Sequence, residues 1–385
     1  MSHDDLLFVH PLLGTDDAWS GYLVEAAPHS SPDAMLRELA RHPALGGFDQ
    51  RQPWFLPAHA GSAECPLQTA VHVFSEISET SLALEEALRQ KKARVAQVLQ
   101  QSSKLPQPGA WDHVLLSAIH ARTLPPYSLL GISSRTGIVA AGVQSHADHK
   151  WVQANACNLC TTEFLLIRHE GDKKADVTRV KLLELLALLA EDADTEAIEA
   201  IFRQEPKLSY SLLRLVNSAA MGPRSPITSF AQAINILGRR QLQRWLQLLV
   251  YADPNNGNHP NPLLQKAAAR GRLMELLTEG MPPLPDVDHN GDAAFMTGAF
   301  SLLDVLLNMP MRDILKQLPL PPTVHDALDE ESGTFGPYLK LLQAAENREF
   351  DKACTAFEEA GLSGQRYLNA QLQAFSWAAR IHTPA

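Results

Sequence analysis

"SLLRLVNSAAMGPRSPITSFAQAINILGRRQL", Ser211 to Leu242, decides the fold of the C-terminal half. It reads as two helices joined by a loop that carries Pro223 and Pro226. Leu208, Leu212, Leu215, Val216 and Ala219 recur at helical spacing and define one apolar face. Pro206 suits the first turn of a helix, where its missing N–H costs nothing. Gly222 can take the left-handed conformation that ends one. Ser229, with Gln232 three residues on, forms a capping box, and Gly238 supplies the next stop. Leu242, Trp245, Leu246 and Leu249 then make a second stripe. Asn217 reads as a structural polar residue that satisfies a helix end or loop carbonyls. No nucleophile–base pair, metal cluster or glycine-rich phosphate loop lies inside the stretch, so it is a packing unit with sharply specified ends.

From Val177 onward nothing resembles a strand, and helix follows helix to the end. The segments "VTRVKLLELLALLAEDA", "TEAIEAIFRQE", "PLLQKAAARGRLMELLTEG" and "AAFMTGAFSLLDVLLN" all carry the helical period. Before the charged break "HEGDKKADVTR" the pattern differs. "DLLFVHPLL" and "WSGYLVEAA" flank the turn-like "GTDDA" and predict a hairpin. "AVHVFSEIS", "YSLLGISS" and "CTTEFLLIRH" read as further strands, while "SLALEEALRQKKARVAQVL" starts as a helix and "ADHKWVQANAC" is one. Strands alternating with helices imply a parallel α/β arrangement behind an antiparallel opening hairpin. The expected domains are therefore residues 1–172, α/β, and 177–385, all-α.

The 385 residues are enough for two cores, and 45% hydrophobic with 20% charged residues is ordinary for a globular protein. Four cysteines are no disulfide framework. The acidic N-terminus does not read as a secretory signal, and "VKLLELLALLA" is too short to span a bilayer. A cytoplasmic protein with no membrane contact is expected. A net charge of −10 argues against nucleic acid as a partner. Between Glu205 and Val250, however, six Lys/Arg face a single acid. Arg224, Arg239, Arg240 and Arg244 are the candidate docking face for an acidic or phosphate-bearing partner, with a solvated rim around the Trp245 stripe as the plainer alternative.

The segment "LSYSLLRLVNSAAMGPRSPITSFAQAINILGRRQLQRWLQLL", continued by "AFMTGAFSLLDVLLNMPMRDILKQLPLPPTVHDAL", resembles HDOD domains, helical modules related to HD-type phosphohydrolases, in the form found in two-domain EAL/HDOD signalling proteins. The resemblance covers roughly Val177 to Ala379. In the N-terminal half "GYLVEA", "EISE" and "VAAGVQSHADHKWVQANACNLCTTEFLL" resemble parts of an EAL domain, a barrel that in active members hydrolyses cyclic di-GMP. The combined expectation is a trimmed, degenerate EAL-type, TIM-like barrel followed by an all-helical, HD-related HDOD domain.

Carried onto this chain, the EAL pattern places Leu23 where the first strand should offer its glutamate, with Glu25 two residues along. Glu76 survives. The expected Asp-Asp pair falls near Leu99 to Gln101, the lysine at about Gly131, and the Glu-x-Val-Glu element at Ala141–Gln144. The HD pattern fares no better. Its His-Asp pair falls at Ser301-Leu302, its upstream histidine in "KAAARGRLM", and His325-Asp326 sits well downstream of the motif, on an ordinary exposed turn of helix. Two-metal hydrolysis needs several converging carboxylates. The resemblance therefore implies no catalytic residues, no metal and no cofactor: a catalytically inactive signal-transduction scaffold acting through protein partners. Cyclic di-GMP binding or residual phosphodiesterase activity is the alternative. His146, His149, Cys157 and Cys160 have ligand types that suit zinc, but a helix separates the two pairs by about 10 Å at 1.5 Å per residue.

Overall fold

The computed structural model describes residues 6–168 except 29, 31, 102 and 126, then residue 187, 206–218, 226–252 and 259–381. It divides into two compact units. Met1–Ile167 forms the first, together with two C-terminal segments, Ala345–Cys354 and Ser363–Leu372. Arg168–Ala344, Thr355–Leu362 and Gln373–Ala385 form the second.

The first unit is a closed barrel of eight strands. They are β1 (Leu7–Leu13), β2 (Trp19–Ala26), β3 (Trp54–Pro57), β4 (Ala70–Phe74), β5 (Arg94–Leu99), β6 (His113–Ser117), β7 (Gly137–Ala141) and β8 (Leu159–Cys160). The predicted hairpin is present: β1 and β2 pair antiparallel, with a register shift at Leu12/Leu13. From β2 to β8 every neighbouring pair is parallel, and β8 closes on β1 antiparallel. Parallel strands are covered on both faces, so they read as continuous apolar runs such as "HVLLS" and "GIVAA" rather than as alternating patterns.

One side chain from each strand fills the barrel interior: Leu12, Leu23, Phe55, Val71, Ala96, Leu115, Val139 and Leu159. A packed layer of this kind makes such a barrel a core, not a pore. All eight strands are present, so the economy expected of a trimmed barrel lies in the crossovers. A short helix α1 (Asp33–Leu39) precedes β3, and only a three-residue 3-10 turn links β3 to β4. Helix α2 (Glu79–Gln90) links β4 to β5, with Ser78 and Ser81 forming its capping box. No helix occurs between β5 and β6 among the described residues.

Two expected strands are corrected. "YSLLGISS" forms helix α4 (Ser128–Ser133), which follows α3 (Ala118–Thr123). "CTTEFLLIRH" gives only the two-residue β8 and then a 3-10 turn over Glu163–Leu166. Because β8 is so short, most of the β1 edge needs other partners. Gln371 supplies them: its amide donates to the Leu7 carbonyl and its carbonyl accepts from the Val9 N–H, both at 2.9 Å. Helix α5 (His146–Ala154) is as predicted.

The second unit is helical, with no strand among the described residues. Helix α6 (Pro206–Val216) and α7 (Phe230–Leu249) frame the opening motif. Leu212, Leu215 and Val216 are buried, as are Leu242, Trp245, Leu246 and Leu249. Leu208 falls outside the described side chains, and Ala219, Gly222 and Arg224 outside the described residues, as do the segments 177–186 and 188–205. Ser229 caps α7 by accepting from the Gln232 N–H, and Gly238 interrupts it at φ 71°. Asn217 ties the loop down: its amide donates to the Leu213 and Ile227 carbonyls, and its oxygen accepts from the Ile227 N–H. Helices α8 (Pro262–Leu277) and α9 (Asn290–Phe300) meet at two glycines. A Cβ at Gly298 would stand 2.4 Å from the Arg270 carbonyl oxygen, and one at Gly271 would stand 3.0 Å from the Phe295 carbonyl oxygen. At Gly298 only glycine permits that approach, and at Gly271 the fit is tight.

Candidate functional site

A cavity of about 1340 Å³ opens at the C-terminal ends of the parallel strands. In barrels of this type that rim is where reactive groups are presented. Leu23 and Leu115, from the interior layer, form part of its floor. Glu25 lies two residues beyond Leu23 and so shares its inward-facing side of β2. Val73, Val98, Ser117 and Ala141 stand above the floor on their strands. Ser78, Thr80 and Ser81, at the N-terminus of α2, form a wall together with Glu76, Gln100 and Gln101. Arg348 and Phe350, from the C-terminal segment of the same unit, complete the lining.

Leu23, Glu25, Glu76, Leu99, Gln100, Gln101 and Ala141, all singled out by the sequence mapping, therefore line one cavity. Gly131, on α4, and Gln144 are not part of that lining. Sequence reasoning missed Arg348, whose local sequence, "NREF", carries no signal of a position at a barrel rim more than three hundred residues away.

Charge at the rim is concentrated in one group. Arg348 Nη2 donates to Glu25 Oε1 at 2.5 Å, and His10 Nε2 lies 3.5 Å from Glu25 Oε2. Arg348 Nη1 lies 3.9 Å from Glu163 Oε1. Glu163 is buried, and among the described residues neither of its carboxylate oxygens accepts a hydrogen bond. Burial pushes the Glu25 carboxyl above its ordinary range; Arg348 pulls it back and Glu163 pushes it further up. Phe350 stacks on Phe8 at 4.9 Å and covers His10 at 6.1 Å.

These donors do not fit a metal pair. Glu25 is engaged by a guanidinium, Glu76 is exposed, and among the described residues no group of three or more His, Cys, Asp or Glu is arranged to hold a metal ion. The His/Cys quartet is likewise not assembled. His149 stacks on Phe164 at 4.0 Å and lies 3.0 Å from Asp17 Oδ1, and His146 packs edge-on to Phe164. Cys157 and Cys160 are free, buried thiols, each pushed up to about 12 by burial.

In the helical unit, the positions mapped to HD ligands also meet. Arg270, inside "KAAARGRLM", donates from Nη1 to Ser301 Oγ at 2.7 Å, and is 3% exposed. Asp304, close enough to feel the Arg270 charge, has its carboxyl raised by burial. A guanidinium and a hydroxyl thus fill the place where imidazole and carboxylate were sought. His325 and Asp326 sit on the exposed side of the helix Pro322–Glu330. Of the candidate docking face, Arg224 is outside the described residues and only the backbone of Arg239 is described. Arg240 pairs with Asp292 at 2.5 Å. Arg244 pairs with Glu275 at 2.5 Å and Asp292 at 2.6 Å, largely out of solvent. Internal acids thus engage the two side chains that are described. No helix among the described residues is long and apolar enough to cross a membrane.

Comparison with known proteins places a family match in the second unit. Residues 178–275 match the HDOD domain model. The Bacillus subtilis (strain 168) protein YuxH is 28% identical over 199 residues, 50% of this chain and 46% of its own length. The cyclic di-GMP phosphodiesterase CdgJ of Vibrio cholerae serotype O1 is 28% identical over 191 residues, 50% of this chain and 43% of its own length. The chain thus spans about half the length of the curated relatives it matches. A solved structure from Shewanella amazonensis SB2B, to which phosphohydrolase activity is attributed, superposes with a TM-score of 0.35 at 14% identity, covering 54% of this chain and 93% of that one. The expectation of a protein without enzymatic activity is overturned here, because a relative over half of the chain is itself named as a phosphodiesterase. At residues 178–275, this chain carries an HDOD domain.

Proposed function

We propose that the protein acts on cyclic di-GMP, or a closely related cyclic dinucleotide, at the mouth of its barrel, as part of a signalling protein whose second unit is built on an HDOD domain. The observation that carries this reading is the rim cavity: about 1340 Å³ of space lined by a cation, an exposed helix start and a half-buried carboxyl. Each has a role toward a phosphodiester. Arg348 offers charge-assisted donors to phosphate oxygens. The N-terminus of α2 places the positive end of a helix dipole at the wall. Glu25, raised by burial and beside His10, has the environment of a general base that takes the proton of an attacking water. The name of the Vibrio cholerae relative supports the choice of cyclic di-GMP as the first substrate to test. The residues present do not fit a metal pair, so no step is routed through one.

The test is incubation of the purified full chain with cyclic di-GMP in buffers with and without Mg²⁺ or Mn²⁺, with chromatography of the products. Appearance of the linear dinucleotide, lost in Glu25→Gln, is expected. Absence of both binding and turnover contradicts the reading.

A further inference from the structure

Arg348 is an unusual residue for its place in the chain. Its backbone is left-handed, at φ 60°, and its N–H donates to the Ala345 carbonyl at the end of the helix Gly336–Glu346. That position is ordinarily filled by glycine, or sometimes asparagine, because a Cβ there is crowded. Six other described non-glycine residues, Lys92 and Glu331 among them, share a left-handed backbone, so what marks Arg348 is where its side chain goes.

The side chain is incompletely satisfied. One end of the guanidinium holds Glu25 at 2.5 Å. The other, Nη1, is buried without a hydrogen-bond acceptor among the described residues and stands 3.9 Å from Glu163. Glu163 is 5% exposed, and both its oxygens also lack hydrogen bonds. Two carboxylates thus share one guanidinium that fully satisfies neither. Such an arrangement is costly in a low-dielectric setting and is readily rearranged by a better-placed anion. Arg348 also lines the cavity, within the same unit as the strands that build it.

We propose that Arg348 is the phosphate-holding residue of the barrel mouth, kept paired with Glu25 until a phosphodiester displaces that carboxylate. The inference rests on the reading above, since it takes the cyclic dinucleotide as the ligand of this cavity. On this account the same exchange that anchors the phosphate releases Glu25 toward the ligand. The anchor comes from the C-terminal segment Ala345–Cys354, not from a barrel strand.

The experiment is calorimetric titration of the full chain with cyclic di-GMP, for the parent protein and for Glu25→Gln, Arg348→Lys and Arg348→Ala. Removing the competing charge in Glu25→Gln tightens binding by about tenfold, while Arg348→Ala weakens it by about ten- to a hundredfold, the range of a charge-assisted contact. Arg348→Lys falls between the parent and Arg348→Ala, and serves as the folded control should the alanine variant melt early. Equal affinity in all four proteins, or weaker binding in Glu25→Gln, overturns the arginine assignment while leaving the cavity as the site. No heat with the parent protein overturns both the assignment and the reading on which it rests.

Discussion

The barrel mouth and the centre of the helical unit arrange their polar groups in two different ways. In each, the sequence mapping brings together positions where metal ligands were sought. At the mouth these are Leu23, Glu25, Glu76 and Gln100–Gln101; in the helices they are the stretch around Arg270 and Ser301. The helical centre is closed. Arg270 is buried and bonded to Ser301, and Gly298 lets α9 press against the α8 backbone. The mouth is open, with its charges held at the edge of a cavity. The difference lies in side-chain length: a long side chain that reaches across fills a site, whereas short side chains leave room for a ligand. Small-molecule chemistry is sought in the barrel for that reason.

Acid should separate the two units most strongly. Burial holds His72 and His113, both on barrel strands, down to about 4 from 6.5. A base with a depressed folded pKa costs stability as pH falls from its unfolded value to its folded one. Each histidine thus removes about 3 kcal/mol from the barrel between pH 6.5 and 4, at 1.36 kcal/mol per pH unit. Hydrogen exchange should show strands β3–β7 losing protection in this window before α8 and α9 do; simultaneous loss would erase the contrast.

Next in size is Arg270→Ala, which removes a buried guanidinium from Ser301 Oγ and from the neighbourhood of the Asp304 carboxyl. A loss of about 3–5 kcal/mol is expected, as for breaking a buried charged network from one side. Denaturant melts followed by tryptophan fluorescence measure it, and a neutral result would mean that the centre is not closed. Gly298→Ala forces a Cβ against backbone that cannot yield as a side chain would. About 1–3 kcal/mol is expected from such overpacking, read in the same melts. The smallest effect is Glu25→Gln, under about 1 kcal/mol at neutral pH, because the amide keeps an acceptor for Arg348. Its sign depends on pH. A carboxyl raised by folding is free of penalty below its unfolded value, and the parent protein loses ground to the variant as pH rises toward the folded value. A stability difference that does not change across that range would place Glu25 in water.

Local signals explain what could be read from the sequence. The hairpin, α5, the capped start of α7 and the buried stripe from Leu242 to Leu249 follow from periodicity and capping. Strands β3, β6 and β7 carry no comparable signal because short parallel strands lack alternation, and "YSLLGISS" has β-branched character only at Ile132. Glu25 was legible as the acid sharing the inward face with Leu23. Arg348, Phe350 and Gln371 were not, since their places depend on a return of the chain that no local pattern encodes.

Hydrogen exchange of the full chain with and without cyclic di-GMP tests the central claim most directly. The account predicts protection at the end of β2, at residues 74–81 and around Arg348–Phe350, with α8 and α9 unchanged. Protection confined to α8 and α9, or none in either unit, would contradict it.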